Sequence, residues 1–294
     1  MLLLTGATGL VGSAVLRRLT AAEQPVRCLV RDPRRLGAER VQVQIALGDL
    51  GDPRVFRHAL RDVRIVVHLG ASTRDQRTGS LEELNGIATW RLARAAAAAG
   101  VEHFVLFSSL EASLEHRVRF FRTKGFAECA VAESGLAHTV FAPSVIYSPG
   151  DPWLTLLHRL SVLPVMPIPG HGRAAYQPVW AEDAADCVLA ALAAGAPTGG
   201  SVRRELAGPE TLTYEAMVSL ALRSFARDQR RLWSLSPRVV RRGLRLLEGV
   251  VGPGIFATWD EVELLGVPLL AAGGTADMET LGVRPRRMAD VLGA

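Results

Sequence analysis

Short apolar runs alternate with stretches of helical periodicity over the first half of the chain. The apolar runs are rich in valine, leucine and isoleucine, which is typical of buried strands. Regular alternation of strand and helix predicts βαβ units, and right-handed crossovers then give a doubly wound α/β fold with a parallel sheet covered on both faces. The predicted strands span residues 2–6, 26–30, 41–49, 65–71, 103–109 and 138–144, and the predicted helices span residues 10–20, 53–60, 81–99 and 117–134.

The alternation fails after Tyr147, where proline and glycine become frequent. Helical periodicity returns over residues 181–194 and 212–226, without a long linker or an internal repeat. We therefore predict a larger domain over residues 1–145 and a smaller C-terminal region over residues 146–294 that is interleaved with it.

Composition indicates a globular protein with a sizeable core. The chain has 294 residues, 49% of them hydrophobic, and no apolar run approaches the roughly 18 residues of a membrane-spanning helix. The N-terminus reads as a buried strand rather than a targeting signal, so we expect a cytoplasmic protein. Cys28, Cys129 and Cys187 lie far apart, and this spacing predicts neither a disulfide framework nor a metal site.

Arginine supplies nearly all of the positive charge, which gives a net charge of +5 and a pI of about 9.7. Basic residues interleaved with aromatic ones would indicate nucleic-acid binding, and the sequence has no such stripe. We therefore expect a solvated arginine surface and no nucleic-acid partner.

One basic segment, residues 238–245, places arginines among leucines and valines at helical spacing. This pattern predicts an amphipathic basic helix, which suits an anionic membrane surface or an acidic protein partner. The alternative is a helix that packs its apolar face on the domain and leaves its arginines in solvent. Peripheral attachment to a membrane is thus one of two interpretations.

A glycine-rich turn follows the first predicted strand and opens the first predicted helix. Gly6, Gly9 and Gly12 stand three residues apart. In this context the first glycine permits a tight turn, the second lets the backbone approach a pyrophosphate, and the third lets helix and strand pack closely. The free N–H groups of the helix then face the phosphates. Residues 1–145 are therefore predicted to form a dinucleotide-binding Rossmann domain, in which Thr8, Leu10 and Val11 also border the cofactor.

These motifs resemble the short-chain dehydrogenase/reductase superfamily, in its extended or atypical branch. The chain is most similar to NmrA-like members and to members that resemble the 39-kDa subunit of complex I. The resemblance runs along almost the whole chain and rests on residues 5–12, 48–50, 68–71, 98–109, 122–128, 134–151, 176–186 and 205–214, and on the C-terminal stretch that starts at residue 258.

The end of the second strand discriminates between the two nicotinamide dinucleotides. An acidic residue there bonds the ribose of NAD, whereas an arginine attracts the 2′-phosphate of NADP. Arg31 stands at this place, and Arg34 and Arg35 follow. We therefore favour NADP(H) as the cofactor, while Asp32 leaves NAD(H) possible.

The resemblance also implies roles for residues at the ends of the later strands. Asp49 and Leu50 would border the adenine, and Gly70 and Ala71 the ribose near the diphosphate. The remaining cofactor contacts implied by the resemblance are Ser108 and, at the nicotinamide amide, Pro143, Ser144 and Val145.

The proton relay of the family is incomplete in this sequence. The resemblance implies a tyrosine as proton donor, a lysine four residues later that holds the ribose, and a serine that orients the substrate carbonyl. Lys124 matches the lysine. Phe120 replaces the tyrosine, and Leu110, which follows Ser108 and Ser109, falls where extended members carry the serine.

Two functions remain open at this stage. The incomplete relay favours a nucleotide-binding protein with little or no classical carbonyl reduction, which senses redox state or supports an assembly. The alternative is an NAD(P)H-dependent oxidoreductase that passes a hydride to a quinone or a small electrophile, with an unknown substrate.

Several polar residues are candidate substitutes for the missing proton donor, although each is also typical of a surface or packing position. His68, at the end of a strand, is predicted to be a core histidine at the edge of the cofactor. The candidates are Glu111, His116, Tyr147, His171 and Tyr176.

Overall fold

The computed structural model describes residues 1–76, 78–227, 230–236, 240 and 259–294. Its main sheet has seven parallel strands in the order β11-β6-β5-β4-β1-β2-β3, so the strand order reverses beside β1. This is the predicted doubly wound α/β fold. The strands are β1 (Leu2–Thr5), β2 (Val26–Val30), β3 (Gln44–Leu47), β4 (Ile65–His68), β5 (His103–Phe107), β6 (His138–Pro143) and β11 (Ser201–Leu206).

Alternate residues of the central strands supply two hydrophobic cores, one on each face of the sheet. On β1, Leu2 and Leu4 join one core and Leu3 joins the other. On β5, Phe104 packs on the second face, next to the helices that follow β3 and β4. A sheet covered on both faces therefore explains why its strands read as nearly continuous apolar runs.

The helices lie close to the positions predicted for them. Helix α3 is preceded by a π-helical turn, Glu82–Ile87, so the predicted helix over residues 81–99 is continuous but not uniform. The helices of the first half are α1 (Leu10–Ala21), α2 (Phe56–Ala59, after a 3-10 turn at Pro53–Val55), α3 (Ala88–Ala98) and α4 (Arg119–Ala132).

Strands β3 and β4 are shorter than predicted by three residues or more, and β1, β5 and β6 by one or two. Strand β3 starts at Gln44 rather than at residue 41, because Asp32 caps a 3-10 helical stretch, Pro33–Val41, and bonds the N–H of Arg34 at 3.0 Å. Strand β4 ends at His68 rather than at residue 71. The chain turns there, and Gly70 approaches the glycine-rich loop. In both places a local turn overrides the apolar pattern.

The region after residue 145 contributes to the main sheet as well as forming its own core. Strand β11 pairs with β6 at the sheet edge, and helix α6 (Ala181–Ala194) lies on α1. The other elements are α5 (Pro152–Leu160), α7 (Tyr214–Ser224), α8 (Trp259–Leu264), α9 (Ala276–Thr280) and α10 (Met288–Leu292), and the strand pairs β7–β10 (Ile146–Tyr147 with Val179–Trp180), β9–β12 (Ala175–Tyr176 with Leu212–Thr213) and β8–β13 (Val165–Pro169 with Arg231–Leu235).

A buried hydroxyl ties the C-terminal segment to the end of β6. The Ser144 hydroxyl donates to the Leu269 carbonyl at 2.7 Å and accepts from the Gln177 N–H at 3.1 Å. Two further pieces of chain therefore meet immediately after β6, beside the carboxyl edge of the sheet.

We expect Ser144→Ala to lower the free energy of unfolding by about 1–3 kcal/mol, because it removes two hydrogen bonds of about 0.5–1.5 kcal/mol each, while the Gln177 N–H keeps its own bond to the Leu269 carbonyl at 3.3 Å. Urea unfolding followed by circular dichroism measures the change. Ser224→Ala is the matched control, since that hydroxyl bonds only the Ala221 carbonyl in its own helix. Equal stabilities of the two variants would contradict the structural role of Ser144.

Candidate functional site

Three glycines allow the loop after β1 to fold against the start of α1. Gly6 has φ +72°, in the region that favours glycine, and its carbonyl accepts from the Gly9 N–H at 3.0 Å. A Cβ at Gly12 would lie 2.0 Å from the Gly6 carbonyl oxygen. Because no side chain fits there, the loop and the helix meet backbone to backbone.

The N-terminus of α1 is open to a ligand. Gly9 is its N-cap, and in the described part of the chain no side chain caps this end and no acidic residue lies in its first turn. The first N–H groups of a helix have no partner within it and carry partial positive charge. The backbone of Leu10, Val11 and Gly12 could therefore hold an anion, and Thr8 lies half-buried in the same loop.

The loop after β4 lies directly against this turn. A Cβ built on Gly6 would come 2.6 Å from the Gly70 backbone nitrogen, and one built on Gly70 would come 2.6 Å from Leu50 Cδ1. The structure thus brings Gly6, Gly70 and Leu50 together. Ala71, the next residue, is exposed.

His68 belongs to the core beneath this loop. Its ring nitrogens contact the hydroxyls of Thr5 at 2.6 Å and Thr89 at 2.9 Å. Burial lowers its pKa to about 3, with the nearby Lys124 charge acting in the same direction. The imidazole is therefore neutral at physiological pH, as expected of a core histidine.

Arg31 follows β2 at the edge of the same cleft, and half of its side chain is exposed. Its guanidinium lies 3.7 Å from an Asp49 carboxylate oxygen and donates to the Gln76 side chain at 3.0 Å. Arg34 and Arg35 are exposed. Arg31 and Asp49 are thus close together, and Arg31 keeps surface available to a ligand.

Lys124 on α4 is buried, with 6% of its surface exposed. Its ammonium donates to the Phe107 carbonyl at the end of β5, at 2.7 Å. Burial lowers the pKa of Lys124 to about 8, opposed by the charge of Glu128. Lys124 is the only lysine of a chain that has 34 basic lysine and arginine residues. That singular choice is a sequence signal for a compact, titratable cation, which arginine cannot provide.

The two positions at which the resemblance implies polar relay groups hold apolar side chains that are partly buried. The Phe120 ring centroid lies 5.9 Å from the Lys124 ammonium and 5.4 Å from the Phe121 ring. Leu110 donates its N–H to the Pro143 carbonyl at 3.2 Å. Both side chains pack against the hydrophobic core of the C-terminal region. The nearby Ser108 hydroxyl is buried and has no hydrogen-bond partner among the described residues.

The candidate substitute donors differ in their surroundings. The Tyr176 hydroxyl already donates its hydrogen to the Leu265 carbonyl at 2.7 Å and is therefore engaged in a structural bond. His116 lies 4.0 Å from Glu111 and accepts from a backbone N–H through its other ring nitrogen. His171 is exposed in a loop.

Tyr147 is fully buried, and its hydroxyl has no partner among the described residues. Burial, together with the charges of Asp183 and Glu210, raises its pKa. The structure therefore pairs Glu111 with His116 and does not direct the five candidate donors to one point.

Asn85, which the sequence analysis did not single out, organises the loop after β4. It lies in the π-helical turn and is buried. Its side chain accepts from the Ser72 N–H at 2.7 Å and donates to the Ser72 carbonyl at 2.8 Å and the Thr123 hydroxyl at 3.3 Å. Asn85 thus links this loop to α4 one residue before Lys124. The sequence signal that could have pointed to Asn85 is a polar amide side chain at the start of an alanine-rich helix.

A small cavity of about 60 Å³ lies on the C-terminal side of the site. Val145, two residues after β6, is part of its wall. This part of the wall therefore lies just beyond the carboxyl end of β6. The other lining residues include Trp153, Tyr176, Tyr214, Met217 and Leu265.

The residues that the structure describes contain no group of three or more histidine, cysteine, aspartate or glutamate side chains that could hold a metal ion. None of the helices found in the described ranges has the length and apolarity needed to cross a membrane. The basic segment 238–245 lies, apart from Val240, outside the described residues.

Comparison with known proteins gives the site a context. Residues 6–154, half of the chain, match the model of a protein family described as NAD(P)H-binding. The chain is also similar to a Streptomyces griseus protein named (4-alkanoyl-5-oxo-2,5-dihydrofuran-3-yl)methyl phosphate reductase. The two are 34% identical over 234 residues, which cover 78% of this chain and 76% of the reductase.

Two further likenesses cover most of the chain. NADH dehydrogenase (ubiquinone) 1 alpha subcomplex subunit 9 of Arabidopsis thaliana mitochondria is 26% identical over 267 residues, covering 85% of this chain and 62% of that protein. A nucleoside-diphosphate-sugar epimerase from Staphylococcus aureus has a TM-score of 0.76 at 18% identity, over 100% of this chain and 99% of the epimerase. At that identity the second likeness shows the fold alone.

The lowered pKa of Lys124 predicts a pH-dependent affinity for the dinucleotide. The ammonium is present below pH 8 and is lost as the pH rises through about 8. A charged donor bonds more strongly than a neutral one by roughly 1 kcal/mol, so affinity should fall about fivefold between pH 7 and pH 9.5. Calorimetric titration measures it, and Lys124→Met should bind more weakly without this dependence.

Since Lys124 is the only lysine, NMR of protein labelled with ¹³C-lysine reports its pKa from a single side-chain signal. A pKa near 10.5 in the free protein would contradict the buried site.

Proposed function

The chain belongs to the NAD(P)H-binding family of the atypical, extended short-chain dehydrogenase/reductase type, and we propose that it is a reductase of conjugated electrophiles that uses NADP(H) without a protein proton relay. The proposal rests on one observation above all. A buried Lys124 is retained beside apolar Phe120 and Leu110, both of which pack into a hydrophobic cluster. The site therefore has a side chain that could bind the ribose of the dinucleotide, but neither Phe120 nor Leu110 can donate a proton to a carbonyl.

The residues present fit a dinucleotide. The backbone meeting of Gly6 and Gly12 leaves the N-terminus of α1 open to a pyrophosphate, where any side chain at Gly12 would collide with the Gly6 carbonyl. Lys124 would donate to the ribose hydroxyls next to the nicotinamide. The buried, unpaired Ser108 hydroxyl is a second donor at the end of β5. Asp49 and Leu50 would border the adenine, and Pro143, Ser144 and Val145 the carboxamide. The Ser144 hydroxyl and N–H already donate to the Leu269 and Leu206 carbonyls, so this contact would fall to the Ser144 carbonyl.

A preference for NADP over NAD rests on two side chains. Arg31 retains an exposed guanidinium at the end of β2, which suits a 2′-phosphate. Asp32, the residue that would bond the ribose of NAD, instead accepts from the Arg34 N–H as a helix cap. This arrangement supports NADP(H).

The chemistry available in the site limits the substrate. The bound dinucleotide supplies a hydride. Reduction of a quinone consumes two electrons and two protons, so the hydride brings both electrons and one hydrogen, and water supplies the second proton. A simple ketone instead depends on a protein acid, whose absence costs about 10²- to 10⁴-fold in rate. Lys124 therefore binds and orients the dinucleotide, and Phe120 and Leu110 supply no proton.

The named activity of the Streptomyces griseus relative supports this substrate class. The compound in its name is a dihydrofuran that carries a ring carbonyl and an alkanoyl group, and is therefore a conjugated electrophile. The relative is described as a reductase and shares most of its length with this chain.

The second candidate function is nucleotide binding without turnover, in a redox sensor or an assembly. It is favoured by the likeness to the Arabidopsis thaliana NADH dehydrogenase subunit and by the missing relay. In that role the basic segment 238–245 would attach the protein to an anionic membrane or an acidic partner. Turnover of a conjugated acceptor distinguishes the two candidates.

We expect Arg31→Ala to weaken NADPH binding about 10- to 100-fold, because one charge-assisted interaction with the 2′-phosphate is lost. NADH binding should change little. Calorimetric titration of both nucleotides measures the two affinities, and Arg54→Ala is the control, since Arg54 is exposed and pairs only with Asp52. Wild-type protein that binds NADH as tightly as NADPH would contradict the preference.

The missing relay predicts which acceptors are reduced. Wild type should oxidise NADPH with 1,4-benzoquinones and leave simple ketones and aldehydes nearly untouched. Phe120→Tyr alone should not restore ketone reduction, because Leu110 still provides no hydroxyl to orient the carbonyl. Phe120→Tyr combined with Leu110→Ser should raise it by up to about 10²-fold. NADPH absorbance at 340 nm follows all of these reactions.

Two results would change the conclusion. Rapid ketone reduction by wild type would reveal another proton donor, with Glu111 and Tyr147 as the residues to replace next. Tight NADPH binding without oxidation by any acceptor would favour the sensor or assembly role.

A further inference from the structure

The cavity beside Val145 is walled by side chains whose polar atoms are already engaged. The Tyr176 hydroxyl donates to the Leu265 carbonyl at 2.7 Å, and the Trp153 indole N–H donates to the Tyr214 hydroxyl at 3.3 Å. Met217, on α7, contributes an unbranched thioether. A ligand in the cavity would therefore contact an aliphatic and aromatic wall.

Leu110 and Phe120 pack against the same hydrophobic cluster as three residues of the cavity wall, Tyr176, Tyr214 and Met217. The Leu110 N–H is bonded to the Pro143 carbonyl, two residues before Val145. The cavity wall and the two apolar residues at the predicted relay positions thus share one hydrophobic cluster.

The volume of the cavity limits what fits. An apolar cavity of about 150 Å³ binds benzene, which has six carbon atoms, so each carbon needs about 25 Å³. A cavity of about 60 Å³ therefore holds on the order of two or three carbon atoms. A sugar would leave its hydroxyls without partners there, at a cost for each.

We propose that the substrate of this reductase carries a short alkyl chain, and that the first two or three carbons of this chain bind in the cavity between Val145, Met217 and Leu265. The proposal rests on the proposed reductase function, because it assigns a substrate class to the same site. The reacting group then lies toward Phe120 and Leu110, at the nicotinamide side, and the alkyl chain points into the C-terminal region.

A series of 2-alkyl-1,4-benzoquinones from unsubstituted to heptyl tests the proposal. We expect the dissociation constant, measured by calorimetry on the NADP⁺-loaded protein, to fall about fourfold for each carbon through propyl, because each methylene leaves water. Beyond propyl it should stay level or rise, since the cavity is full. A continuous fall to heptyl, or no dependence on chain length, would overturn the proposal.

Variants of the cavity wall distinguish binding of the alkyl chain in the cavity from a general effect of hydrophobicity on affinity. Leu265→Trp should fill the cavity and abolish the dependence on chain length. Leu264→Trp is the matched control, because Leu264 packs on the same cluster without lining the cavity. Met217→Ala enlarges the cavity and should move the optimum to longer chains. If Leu265→Trp does not fold, as thermal melting shows, an unmoved optimum in Met217→Ala decides against the proposal.

Binding and turnover also separate the two proposals made for this site. Chain-length-dependent binding without NADPH oxidation would sustain the alkyl cavity and refute the reductase. NADPH oxidation whose KM ignores chain length would sustain the reductase and refute the cavity as an alkyl site.

Discussion

The meeting of three backbone segments at Gly6, Gly12 and Gly70 is the constraint on which the site depends. A Cβ on Gly12 would lie 2.0 Å from the Gly6 carbonyl oxygen and one on Gly6 would lie 2.6 Å from the Gly70 nitrogen, both backbone atoms, whereas one on Gly70 would meet the end of the Leu50 side chain at 2.6 Å. Because β1, α1 and the loop after β4 meet here without side chains, the helix N-terminus stands directly at the carboxyl edge of the sheet. Every other site residue is positioned relative to that edge.

The C-terminal region reaches this edge through a few polar ties between large apolar surfaces. Ser144 bonds the Leu269 carbonyl, and Tyr176 bonds the Leu265 carbonyl. At the surface, Arg119 bridges Asp75 and Glu82 at 3.0 and 2.8 Å and Asp260 at 3.4 Å. Partly exposed pairs contribute little stability individually. Their role here is to fix where the apolar cluster meets the cleft.

One hydrophobic cluster connects two features of the candidate site. Phe120 and Leu110 stand where the resemblance implies polar relay groups, and they pack against the same cluster as the cavity-wall residues Tyr176, Tyr214 and Met217. Low polarity around Lys124 lowers its pKa to about 8, while the polar tasks of binding remain with the backbone of the glycine loop. The site thus combines a polar, backbone-built binding end with an apolar reacting end.

The sequence alone determined the fold class and predicted the glycine-rich nucleotide loop and the incomplete relay. These follow from short-range rules: strand and helix periods, glycines at fixed spacing, and a lysine one helical turn after a phenylalanine. The single lysine among many arginines is a further sequence signal, and it marks the buried cation Lys124. Only the tertiary structure decided the ends of β3 and β4, where capping by Asp32 and the approach of Gly70 override the apolar pattern. Only the tertiary structure also showed that the Ser144 and Tyr176 hydroxyls make structural hydrogen bonds. The contacts of Asn85 and the cavity likewise became visible only there. Those features depend on residues far apart in the chain, whose distances no local pattern encodes.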